Sequence, residues 1–76
     1  MLNTAARESE RGVDMKKLRK NVGLTQKELA DAVGCSRTSI VNIENGTYIP
    51  RYPLLKKIAD VLKVDSDYLY DILKGK

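Results

Sequence analysis

The sequence predicts an all-α domain of five short helices, and three observations carry that prediction. Capping residues recur just before apolar residues at helical spacing, glycines stand where those stretches stop, and the 42% apolar content is largely aliphatic, with four tyrosines as its only aromatics. At 76 residues the chain buries about 60% of its unfolded surface, enough for one core and no second lobe.

Each element has its own signal. Residues 1–9 read as a flexible arm and 10–76 as the folded domain. The first helix is expected to begin between Ser9 and Asp14 and to run to Asn21. Gly12 disfavours a longer regular start, and Asp14 is a cap before Met15 and Leu18. Thr25-Gln26-Lys27-Glu28 is a capping box that opens the second helix, because hydroxyl and carboxylate each satisfy a backbone N–H. Leu24 and Leu29 staple its entry, Ala30 and Val33 continue its apolar face, and Gly34 stops it. Ser36 caps the third helix, with Cys35 and Ile40 at the staple positions, and Gly46 ends it after Asn45. Pro50 and Pro53 bracket the start of the fourth, whose Leu54, Leu55, Ile58, Ala59, Val61 and Leu62 recur at helical spacing. Tyr52 is expected to fill an apolar slot there. Asp65 is expected to cap the fifth helix, with Val64 and Leu69 stapled and Asp67 and Asp71 suited to a positive helix end.

Residue inventory excludes most chemistry. No histidine and a single cysteine, Cys35, remove ordinary zinc sites, imidazole bases, Cys-His nucleophiles and an internal disulfide. No Gly-rich phosphate loop is present. An enzyme is therefore not expected, nor a metal or cofactor. Without an apolar signal segment or long apolar run, the expected location is the reducing cytoplasm, away from any membrane. Cys35 is expected to pack, not to do redox work. The formal charge is +4, and residues 15–76 carry +5 of it against −1 on residues 1–14.

The second and third helices are joined by Gly34-Cys35-Ser36 alone, a helix-turn-helix layout in which one helix braces the other. At about 100° per residue, Ile40 and Ile43 share a face of the third helix with Ser36 and Glu44, while Thr38, Asn42 and Asn45 cluster opposite. That outward strip is polar and uncharged. Amides and hydroxyls of this kind can bond base edges at little desolvation cost, and Arg37 stands at the helix N-terminus, the end that enters a groove.

The run Leu24-Thr25-Gln26-Lys27-Glu28-Leu29-Ala30 to Gly34, followed by Ser36-Arg37-Thr38-Ser39-Ile40 and Ile43-Glu44-Asn45-Gly46, resembles the phage repressor, Cro and Xre family of helix-turn-helix regulators. The resemblance extends from Met15 to Leu73. It implies a lambda-repressor-like DNA-binding domain acting as a transcriptional regulator, with a repressor favoured over an activator. It also implies base contacts from Arg37, Thr38 and Asn42, phosphate contacts from Gln26 and Asn45, and a structural pair of Arg19 with Glu44 that ties the first helix to the end of the third. Lys63 occupies the place this family usually gives to glycine, where a left-handed residue is expected.

The helix-turn-helix stretch has a net charge of −1, so phosphate attraction must come from its flanks. Lys17, Lys20 and Arg51 are the candidates there, although a lysine run on a short helix serves equally as a solvated face. Tyr48 either donates to a phosphate or covers the core edge. Tyr68, Leu69 and Ile72 on the fifth helix are a candidate dimer face. A two-fold homodimer would set its recognition helices about 34 Å apart, matching half-sites one turn apart on a pseudo-palindromic operator in double-stranded DNA. No domain for sensing a small-molecule ligand is evident. The competing reading is an antitoxin or protein-interaction module that uses the same fold, with DNA binding secondary.

Overall fold

The computed structural model describes residues 14–75, all of whose regular structure is helical: α1 Met15–Asn21, α2 Gln26–Val33, α3 Arg37–Glu44, α4 Tyr52–Leu62 and α5 Ser66–Lys74. The five-helix expectation is met. The arm at residues 1–9, Gly12, and any helix start before Asp14 lie outside the described residues.

The caps explain where the helices begin. Asp14 accepts the Lys17 N–H at 2.9 Å, which opens α1 at Met15. Thr25 and Glu28 exchange bonds of 2.9 and 3.0 Å, closing the capping box of α2. Ser36 Oγ accepts the Ser39 N–H at 3.1 Å at the start of α3. Asp65 departs from expectation: it occupies the cap position of α5, but its side chain makes no capping bond. It therefore contributes its negative charge near the helix start and no hydrogen bond.

Left-handed residues explain where the first four helices end, at Gly23, Gly34, Gly46 and Lys63. Gly34 has φ +80°, and the N–H groups of Gly34 and Cys35 both return to the Ala30 carbonyl, at 2.9 and 3.0 Å. A Cβ on Gly34 would meet nothing within 4 Å, so backbone torsion and not space calls for glycine. Lys63 ends α4 in the same way at φ +65°, with the Val64 N–H bonded to the Ala59 carbonyl at 3.0 Å. A side chain is tolerated there at a strain cost of about 1–2 kcal/mol.

The core collects Met15, Leu29, Ile40, Ile43, Ile58 and Leu69, each fully buried, with Ala30, Val33, Leu55, Ala59, Leu62 and Leu73 around them. α2 packs on α3 and α4, and α5 packs on α4 and α1. Leu24, Cys35 and Val64, the outer members of the three staples, are half-buried against this core.

Tyr52 does not fill an apolar slot. It is 60% exposed at the first position of α4, and the preceding segment buries Pro50 instead. A buried tyrosine needs a partner for its hydroxyl, and none of the described hydrogen bonds supplies one. Leu69 is likewise removed from the candidate dimer face: it is fully buried in the core, as the inner partner of a staple must be.

Candidate nucleic-acid interface

Two charged side chains lie inside the domain. Arg19 comes from the last turn of α1 and Glu44 from the end of α3, and their side chains are only 7% and 5% exposed. Arg19 donates from Nε to Glu44 Oε2 at 2.6 Å and from Nη2 to Oε1 at 3.3 Å, while Nη1 donates to the Leu24 carbonyl at 2.8 Å. The guanidinium thus ties α1, the loop before α2, and α3 into one unit. No buried side-chain nitrogen or oxygen among the described residues lacks a hydrogen-bond partner.

Gln26, the first residue of α2, extends this network outward. Its Nε2 donates to Glu44 Oε1 at 3.1 Å, and its Oε1 accepts from Arg37 Nη2 at 3.4 Å. Four side chains from three helices, Arg19, Glu44, Gln26 and Arg37, therefore form one path from interior to surface. The capping box at Thr25 places Gln26 at the helix start, and the Gly34 turn brings the start of α3 back beside it.

On α3 itself, Arg37 and Thr38 are exposed and Asn42 is half-buried, while Asn45 is exposed just past the helix. Ile40 and Ile43 face the core. The polar strip thus faces outward on a helix anchored from behind by apolar packing and at its end by the buried ion pair. Lys20 and Gln26 line one open groove between the end of α1 and the start of α2, together with Lys16, Gly23 and Thr25. Lys17 and Arg51 are exposed, and Tyr48 is 41% exposed in the loop after α3. On α5, Tyr68 is 41% exposed and Ile72 half-buried, which leaves a smaller apolar face than the sequence suggests. Tyr70, 43% exposed, carries the Lys74 ammonium 5.5 Å from its ring centre.

Sequence reading missed both bonds of Gln26. Arg19 and Glu44 are marked by a family pattern, but nothing in the spacing of residues 26, 37 and 44 announces that one amide joins the other two.

Half-buried Cys35, at the turn between α2 and α3, has its thiol pKa pushed above the ordinary 9.0 by burial. Lys56 is raised by its hydrogen bond to Asp60, with the charge of that carboxylate adding to it.

This fold, with a short glycine turn between two docked helices and a polar strip on the second, defines a helix-turn-helix domain. The chain belongs to the helix-turn-helix family, whose family model matches residues 15–69. Among known proteins it is similar to the ImmF control region 10 kDa protein of Bacillus phage phi105, 41% identical over 58 residues that cover 76% of this chain and 64% of that protein. It is also similar to the HTH-type transcriptional regulator YqaE of Bacillus subtilis, 40% identical over 63 residues, 83% of this chain and 52% of the relative. A third relative, the cryptic phage CTXphi transcriptional repressor RstR of Vibrio cholerae, is 41% identical over 51 residues, 67% of this chain and 46% of that protein. The chain thus spans less than two thirds of the length of each. No solved structure matches.

Proposed function

We propose that this chain is a sequence-specific double-stranded DNA-binding transcriptional regulator, acting as a repressor, that lays α3 in the major groove. The observation that carries the reading is the exposed polar strip of Arg37, Thr38 and Asn42 on a helix fixed by the Gly34 turn and the buried Arg19–Glu44 pair. Arg37 can grip guanine N7 and O6 with two donors, and Asn42 can do the same for adenine N7 and N6. Gln26, Asn45, Lys17, Lys20, Tyr48 and Arg51 supply the phosphate contacts that fix register. The relatives support the direction of this reading, since one is named a phage transcriptional repressor and another a transcriptional regulator.

The regulator binds as a homodimer through Tyr68 and Ile72 and works in the cytoplasm. No helix among the described residues is long and apolar enough to cross a membrane. Selection of bound duplexes from a random pool tests all of this together. A pseudo-palindromic site with half-sites one turn apart is the expected outcome, and a single half-site would remove the dimer. Affinity that is flat in salt on every duplex would favour the interaction-module reading, because phosphate contacts release counterions and protein contacts of an apolar face do not.

A further inference from the structure

Val41 is the one apolar residue on the outward arc of α3, and neither the core nor the helix calls for it. At about 100° per residue it lies within about 40° of Arg37 and of Asn45, about 60° from Thr38, and about 160° from Ile43, which faces the core. It is half-buried, yet among the described residues it is not one of the apolar side chains packed on the core, as the half-buried Leu54 and Val61 of α4 are. A β-branched residue also lowers helix propensity, where a lysine or glutamate on an exposed face would raise it. Valine offers something its polar neighbours lack. In a helix its χ1 is restricted almost to one rotamer, so its two methyl groups are held in a fixed direction with little side-chain entropy left to lose on binding. The backbone beneath is equally fixed, since the Val41 carbonyl accepts the Asn45 N–H at 2.9 Å.

We infer that Val41 is a specificity-determining residue that recognises the C5-methyl group of a pyrimidine on the major-groove edge. Thymine alone of the four bases presents a methyl there, and an apolar side chain is the group that detects it. Arg37, Thr38 and Asn45 offer hydrogen bonds, for which a methyl is no partner. Because the contact is to the methyl and not to the base that carries it, 5-methylcytosine serves this contact as thymine does. A methyl mark on cytosine at that position therefore strengthens binding. This inference rests on the DNA-binding reading.

A duplex selected from a random pool by the wild-type chain carries the test. Each thymine is replaced in turn by deoxyuridine, which removes the methyl and leaves every hydrogen-bonding group, and binding of wild type and Val41→Ala is compared in competition. The variant removes no core contact and alanine favours the helix, so it keeps the fold. At one thymine the replacement should weaken wild type by about fourfold, the effect of one buried carbon, and leave Val41→Ala unaffected. At the same position, 5-methylcytosine should bind wild type better than cytosine by a similar factor, and the two should bind Val41→Ala alike. A wild-type chain indifferent to deoxyuridine at every thymine of its selected duplex overturns the inference and leaves the DNA-binding reading standing. A loss of the same size in Val41→Ala also overturns it, since another side chain then holds the methyl. A wild-type chain that enriches no duplex overturns the DNA-binding reading and this inference with it.

Discussion

Replacing Glu44 with alanine should remove a quarter or more of this protein's stability. The substitution removes the acceptor of three bonds, two from Arg19 and one from Gln26. It leaves the Arg19 guanidinium in a site where it is 7% exposed, with only the Leu24 carbonyl still bonded to it. Breaking a buried pair from one side costs about 3–5 kcal/mol, because the surviving charge is desolvated and uncompensated. A chain of this length has a total stability of roughly 4–11 kcal/mol at the usual per-residue values. The loss is thus at least a quarter of the total, and in a domain this small it lowers the melting temperature by roughly 12 °C or more.

Urea titration followed by far-UV circular dichroism measures the effect, with the midpoint expected to fall by about 1–3 M. The companion variant is decisive. Arg19→Met with Glu44→Met replaces both charges by apolar groups of similar length, which should recover most of the lost stability. A Glu44→Ala loss below about 1 kcal/mol, or a double variant as unstable as the single one, would refute the claim that desolvation dominates here.

Other substitutions probe the turns, the strip and the flanks. Gly34→Ala should cost about 1–2 kcal/mol in a thermal melt, all of it torsional since the added methyl meets no atom, and Lys63→Gly should raise stability by up to a similar amount. Arg37→Ala or Asn42→Ala should each relax one base position by about 1–3 kcal/mol in competition binding, leaving other positions unchanged. Removing Lys17, Lys20 or Arg51 should weaken all duplexes alike and lower the salt slope by about 0.9 for each phosphate no longer neutralised, whereas Lys27→Ala should leave the slope as it is. Cys35 should react slowly with iodoacetamide at neutral pH in the folded chain and faster in urea. Its raised pKa also means that folding favours the neutral thiol, so this contribution to stability is present below pH 9.0 and declines as pH rises above it.

The helix boundaries were legible because they are written in short-range chemistry. Thr25 with Glu28, Ser36 with Ser39, and Asp14 before Lys17 each act within three residues, so sequence alone determines who can bond to whom. The core was legible for the same reason, since Leu29, Ile40 and Leu69 sit at staple positions measured from those caps. Assigning Leu69 to a dimer face contradicted that logic, as one residue cannot be the inner half of a staple and also face a partner. Tyr52 failed for a different reason: helical spacing tells which face a residue lies on, not whether the first turn overhangs the core. The Gln26 bridge is a meeting of residues 11 and 18 positions apart, and no local rule reaches that far.

In the proposed DNA complex, the placement of charge follows from what the α3 strip must avoid: its polar groups would have to approach base edges closely, and a row of lysines there would bind any sequence through phosphates. Long-range attraction has therefore to come from neighbouring elements, and the ion pairs show which ones. Lys27 is held by Asp31, Lys56 by Asp60 and Lys74 by Asp71, each within one helix, so much of their charge is locally balanced. Among the described residues Lys16, Lys17 and Lys20 on α1, Arg51 at the start of α4, and Lys57 and Lys63 within and after α4 form no ion pair and are exposed. Arg37 is the single cation on α3, and its guanidinium is hydrogen-bonded to an amide instead of a carboxylate, which does not cancel its charge. On the proposed reading affinity and base selection fall to different helices, and the buried Arg19–Glu44 pair ties the helix supplying one to the helix supplying the other.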